Sequence, residues 1–207
     1  MPMDISAKTL KNDLIQMASL VEQSIVLSLD PAKSIEDSRE IENQINQYHK
    51  KIDQNCLAFL SLKQPQAKDL RTAVAALKIN GELERMGDQS MTIKRFEKEV
   101  DGINPKIVSL KELVRDMVKS CIDSLVFGDV TLARDVIGND REVNELYQHI
   151  IQLYFELVKT GQEPFECGHA NIRIAKNLER IGDHATNIEE DVIFIESGTD
   201  IRHPELK

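Results

Sequence analysis

Residues 83–88 read Leu-Glu-Arg-Met-Gly-Asp and residues 178–183 read Leu-Glu-Arg-Ile-Gly-Asp, one six-residue pattern used twice at a spacing of 95 positions. Around it Ile93 matches Ile188, Pro65 corresponds to Pro164, and Ile45-Asn46 resembles Val143-Asn144. Repetition of this kind inside one chain marks two versions of a single structural unit that kept the same local geometry. The hexapeptide falls in the middle of a helical pattern, where glycine costs about 1 kcal/mol relative to alanine. Gly87 and Gly182 therefore imply an offsetting gain made twice, the close approach of a neighbouring helix.

Outward from the hexapeptide the apolar residues keep the 3.6-residue period. Leu10, Leu14, Met17, Val21 and Ile25 define a first helix of about 25 residues. Asp30-Pro31 supplies the stop and the start of a second helix through Ile41, Ile45, Ile52, Cys56 and Phe59, and Gln64-Pro65 opens a third that runs to about Val100. Asn104-Pro105 starts a fourth and Gly128 closes it. A fifth begins near Asp129 and ends at Thr160-Gly161, and Glu163-Pro164 opens a sixth that runs to about Ile195 before an irregular tail. The expectation is an all-α protein of two tandem three-helix bundles, one over residues 1–102 and one over 103–207 with the C-terminal tail.

Composition agrees and excludes several functions. Of 207 residues 41% are hydrophobic, 4% aromatic and 29% charged, with 9 Gly, 6 Pro and no Trp, a balance that suits long helices and offers few strand formers. The 35 acidic residues exceed the 26 basic ones and leave a net charge of -9, which opposes contact with a phosphate backbone, so no nucleic-acid partner is expected. No apolar run approaches the roughly 20 residues that span a bilayer, and the start MPMDISAKTL lacks the features of a signal peptide, so a cytoplasmic protein is expected. Cys56, Cys121 and Cys167 are too far apart for a zinc pattern and read as reduced core residues.

Glu84 and Asp88 stand four apart on one helix face, as do Glu179 and Asp183, with about 5–6 Å between their Cβ atoms. Like charges at that spacing repel unless a cation lies between them, and two hard oxygen donors on adjacent turns suit a magnesium-, manganese- or iron-type ion. Glu42 with Asn46, and Asp140 with Asn144, repeat the arrangement on the second and fifth helices, so two such faces meeting build a cluster site. The plain reading is a set of solvated surface carboxylates. Arg85 and Arg180 serve either to neutralise them or to contact the surrounding shell or a partner, and His184 is a candidate for the same shell.

Glu166-x-x-His169 has the spacing of a di-iron helix motif but occurs once and far from the repeat, so it is read as coincidence. His49, His149 and His203 have no metal spacing among themselves. The phosphate-binding, nucleophile-elbow and zinc-protease signatures are missing, and no enzymatic activity is expected. The alternative is a metal-dependent oxidase or phosphohydrolase built on the carboxylate clusters.

The strings QPQAKDLRTAVAALKINGELERMGD, AKNLERIGDHATNIEEDV and GTDIRH, at 64–88, 175–192 and 198–203, resemble the PhoU family of accessory proteins in bacterial phosphate-specific transport. The similarity covers nearly the whole chain and includes the order of motifs, the duplication and the tail. The resemblance implies two three-helix bundles side by side, a homodimer, and divalent or trivalent metal ions (iron, manganese, magnesium or zinc) held by Glu84 and Asp88 in the first unit and Glu179 and Asp183 in the second. Asn46 and Asn144 support them, and Asn187 and Glu190 continue the second motif where the first has Thr92 and Arg95, so unequal occupancy is expected. It further implies negative control of phosphate uptake and of the phosphate-starvation response through a transporter ATPase and a sensor histidine kinase, with the membrane reached only through those partners.

Overall fold

Helices form where the apolar period persists, and their ends are set by residues that satisfy the orphan backbone groups of the first and last turns. The structure, a computed structural model, describes residues 5–202, so His203 lies outside the described residues. The helices are α1 (Ala7–Ser28), α2 (Ile35–Lys63), α3 (Ala67–Glu97), α4 (Pro105–Phe127), α5 (Val130–Lys159) and α6 (Phe165–Ser197), with no strand among the described residues. The fold is all-α, and α6, at 33 residues, is about 50 Å long.

Several ends fall where the sequence puts them. Asn104 caps α4 with Pro105 in its first turn, Gly128 ends it in the left-handed conformation at φ 66°, and Asp129 caps α5 through two backbone N–H groups. Two starts differ. Asp30-Pro31 does not begin α2: Asp30 Oδ1 accepts from Ala32 N in a tight turn, and the helix starts after Ser34, whose hydroxyl and the Asp37 carboxylate form a reciprocal capping box. Pro65 is not the first residue of α3, because the chain reverses between Gln64 at φ 46° and Ala67 at φ 49° and the helix begins only there. The C-terminal end of α3 falls at Glu97, short of Val100.

Within each half the three helices pack in all three pairings, α1 with α2 and α3, and α4 with α5 and α6. The halves join along α3 and α6, with a smaller junction between α1 and α4, whereas α2 and α5 touch only their own bundle. Lys78 pairs with Asp191, Glu82 with His184, and Arg173 lies over the Phe96 ring, so α3 and α6 run antiparallel. A helix packed against neighbours on more than one side needs a wider apolar face than one packed on a single side. α3 accordingly buries Ala73, Ala75, Ala76, Ile79, Leu83 and Met86, and α6 buries Ile174, Ala175, Leu178, Ile181 and Ala185. Each large side chain among them contributes roughly 1.5–3 kcal/mol of transfer free energy.

Two repeat-equivalent positions bury ionisable groups of opposite type. Lys94 of α3 is fully buried; its Nζ donates to the Asp30 carbonyl at 2.7 Å and pairs with Glu97 at 3.1 Å, tying the end of α3 to the α1–α2 turn. Its counterpart Glu189 of α6 is fully buried, accepts from the Ser124 hydroxyl near the end of α4, and leaves Oε1 without a partner. Burial pushes the Glu189 carboxyl up to about 7 against the hydrogen bonds from Ser124 and Cys121. The folded state thus holds this proton more tightly than the unfolded chain, so the contribution is favourable below about pH 4.5 and is lost as pH rises towards 7. Glu189→Gln should remove that loss. Urea melts at pH 5 and pH 8 are expected to show the variant gaining about 2–3 kcal/mol on the wild type between the two conditions, and parallel curves would refute the burial of an ionisable carboxyl there.

Candidate functional site

In each bundle the second and third helices come together at a glycine. A Cβ placed on Gly87 would lie 3.0 Å from Ile45 Cδ1 and 3.3 Å from its Cγ2; one placed on Gly182 would lie 3.3 Å from Val143 Cγ1 and 3.7 Å from Asp140 Oδ1. The close approach that the hexapeptide implied is therefore present in both halves, against residues that also correspond. The oxygen donors flank these contacts at matched offsets. Glu42 and Asn46 bracket Ile45 as Asp140 and Asn144 bracket Val143, and Glu84 and Asp88 bracket Gly87 as Glu179 and Asp183 bracket Gly182.

The second half draws its residues into one electrostatic unit. Asn144 Nδ2 donates to Asp140 Oδ2 at 2.7 Å, while Asp140 Oδ1 is buried with no hydrogen-bond partner. Glu179 is 7% exposed, and both its oxygens accept from Lys176 Nζ, at 2.7 and 2.6 Å. Burial raises the Asp140 and Asp183 carboxyls above their ordinary range and the Glu179 charge raises both further; Asp140 adds to the effect on Asp183. In the first half Glu42, Asn46 and Glu84 are half-buried, Asp88 is exposed, and none of the four forms a hydrogen bond or ion pair among the described residues. Gly81 stands where the second half has Lys176. Among the described residues no three His, Cys, Asp or Glu side chains are grouped to hold a metal ion. In the second half Lys176 takes Glu179, and Asn144 takes one Asp140 oxygen.

Beside this cluster lies the α3/α6 seam. Glu82 of α3 accepts from His184 Nδ1 at 2.7 Å and Asn187 Nδ2 at 3.0 Å and pairs with Arg85. Burial works to raise the Glu82 carboxyl, but the hydrogen bonds from His184 and Asn187 and the charges of His184 and Arg85 outweigh it and hold the group below its ordinary value. Arg85 and Arg180 open onto a shallow concavity with Asp183 and His184. Glu190 is half-buried, and its charge supports Arg202 near the end of the described chain. Glu82 and Lys176 were not singled out by sequence. The three-residue spacing of Lys176 and Glu179 carries a helical ion-pair signal, whereas Glu82 finds its partners only through the register of the seam.

The remaining candidates stand apart. Glu166 and His169 are both exposed, with the His169 ring stacked on Phe165 and edge-on to Phe96. His49 lies 3.7 Å from Asp53 and His149 is exposed. All three cysteines are free. Cys56 and Cys121 are buried in the core, where burial pushes the Cys56 thiol up to about 12, but Cys167 is only half-buried and lines a cleft between the α3–α4 and α5–α6 connections. The core assignment thus fails for Cys167, whose place in the first turn of α6 lies beyond the packed seam.

A duplicated three-helix bundle joined along its two central helices defines a class, and comparison with known proteins gives that class a family. A family model described as "PhoU domain" matches residues 9–95 and again 107–192, one match per bundle. The phosphate-specific transport system accessory protein PhoU homolog of Pseudomonas putida is 32% identical, covering 95% of this chain and 81% of its own length. The homolog of Pseudomonas aeruginosa is 34% identical, covering 93% and 84%. The crystal structure of PhoU from Pseudomonas aeruginosa superposes with a TM-score of 0.86 at 30% identity, covering 93% of this chain and 97% of that one. That of the phosphate transport system regulatory protein PhoU from Streptococcus pneumoniae gives 0.88 at 22% identity, a likeness of fold, over 95% and 98%. The chain belongs to the PhoU family. These are accessory and regulatory proteins, and the chain is not an enzyme; the oxidase or phosphohydrolase alternative is set aside.

Two outcomes test the geometry. Alanine gains about 1 kcal/mol of helix propensity over glycine, and a Cβ on Gly81 or Gly138 meets nothing within 4 Å. Gly81→Ala and Gly138→Ala should therefore raise the urea midpoint, while Gly87→Ala and Gly182→Ala should fail to, because crowding of Ile45 or Val143 cancels the gain. For the electrostatic unit, Glu179→Gln should lower the titration midpoints of Asp183 and Asp140 together in a carboxyl-detected NMR titration; unmoved midpoints would separate the three groups.

Proposed function

We propose that the protein is a metal-binding regulatory adaptor that restrains phosphate uptake and the phosphate-starvation response by contact with a transporter ATPase and a sensor histidine kinase. Support comes from the names of its relatives, accessory and regulatory proteins of phosphate transport. In this reading it acts from the cytoplasm as a homodimer and reaches the membrane only through those partners; among the described residues no helix is long and apolar enough to cross a membrane. The two units divide at 102–103, between the matched segments.

The metal half of this reading rests on the buried, unpartnered Asp140 Oδ1 beside Glu179 and Asp183. An acceptor withdrawn from water without a partner costs about 1–3 kcal/mol. A hard cation among three carboxylates relieves that cost and their repulsion together. Asp140, Asn144, Glu179 and Asp183 would hold it, with Glu42, Asn46, Glu84 and Asp88 as the counterpart in the first unit. Their oxygen donors fit iron, manganese, magnesium or zinc. Bound there, such an ion would supply positive charge between α5 and α6, and Glu179 would have to exchange its contact with Lys176 for it. Bound metal regulates only through a difference in partner affinity between the loaded and free forms.

Elemental analysis of untagged protein should show less metal per chain in the Glu179→Ala, Asp183→Ala double variant and no change in Cys56→Ser. Lys176→Gln should bind metal about tenfold more tightly, since the competing ammonium is gone. Unchanged content in the double variant would remove the ligand assignment. Capture from a phosphate-replete bacterial lysate tests the partner half separately: recovery of neither the ATPase nor the kinase by the wild type would overturn it whatever the metal content.

A further inference from the structure

We infer that the α3/α6 seam carries a binding site for a tetrahedral oxyanion of the phosphate type, held between Arg85 and Arg180. The concavity there measures about 400 Å³ and is lined by Arg85, Gln89, Arg180, Asp183, His184 and Asn187. Four of these six form two repeat-equivalent pairs, Arg85 with Arg180 and Gln89 with His184. Antiparallel packing of α3 on α6 turns the two copies of the hexapeptide towards each other, so each pair approaches from opposite sides around an approximate two-fold axis. Two guanidinium forks lining one concavity suit a tetrahedral dianion, since each can offer parallel N–H donors to a pair of its oxygens.

The charges are arranged for a guest. Arg180 forms no hydrogen bond or ion pair among the described residues, in a chain with nine more acidic than basic side chains. Arg85 is anchored to Glu82 through Nη1, which leaves its other donors available. Glu82 accepts from His184 and Asn187 as well, so three of the lining residues are held in place from beneath by one carboxylate. Asp183 is the opposing charge on the rim. This site goes beyond the regulatory reading and needs no bound metal, so it is to be measured on chelator-treated protein.

Isothermal titration of the full chain at constant ionic strength with orthophosphate, glycerol phosphate and sulfate is the test. Saturable binding of a phosphate species is expected, weakened about tenfold or more by Arg180→Gln and by Arg85→Gln, partly retained in Arg180→Lys, and tightened several-fold by Asp183→Asn. Lys119→Gln, an exposed change on α4, should leave it alone. Tighter binding of orthophosphate identifies the free ion as the ligand, and tighter binding of the ester identifies an esterified phosphoryl group. No saturable binding by the wild type, equal binding of sulfate and both phosphates, or undiminished affinity in the two glutamine variants would overturn the inference.

Discussion

Two helices approach each other closely only where one gives up its side chain, and in this protein the surrender happens twice at matched positions. Gly87 against Ile45 and Gly182 against Val143 set how near the third helix of each bundle comes to the second. The same contact aims the acidic residues, since carboxylates three before and one after the glycine emerge on either side of the touching point. Place a methyl group there and Ile45 or Val143 must give way by a few tenths of an ångström, which disturbs the contact between the helices that carry the oxygen donors. The hexapeptide therefore encodes spacing and chemistry in one string, which explains how the glycine survives mid-helix despite its propensity.

Duplication has not kept the halves chemically equal. The second half surrounds its donors with Lys176, Asn144 and the seam, and its carboxyls feel one another strongly. The first leaves its four unbridged and more open to solvent. The same divergence shows at Lys94 and Glu189, where equivalent buried positions carry a basic and an acidic side chain and each fastens the end of its bundle's first helix by a different bond. A common backbone with differing polar fillings lets one half bind more tightly than the other without any change of fold.

Much of this was legible before any coordinates. Long 3.6-period segments gave six helices, and Asn104-Pro105, Gly128 and Asp129 gave their ends because the capping chemistry is local. Asp30-Pro31 misled because a better cap stood four residues on: the Ser34 and Asp37 pair satisfies two orphan groups reciprocally. The donors of the metal reading could be named from spacing, since that depends on one helix at a time. Glu82 could not, because its value comes from His184 and Asn187 more than a hundred residues away, across a seam whose register no periodicity states.

The outer placement of α2 and α5 has a mechanical consequence. Each is held only by its own bundle, whereas α3 and α6 are clasped by both. Opening an outer helix breaks contacts in one bundle alone, whereas opening a central one breaks contacts in both. Stability should therefore be graded from the flanks inward, with backbone amides of α2 and α5 expected to lose protection ahead of those in the seam. Half of the carboxylate and amide donors lie on those looser flanks and half on the rigid centre, so a ligand gripping both would act as a clamp between a yielding layer and a fixed one.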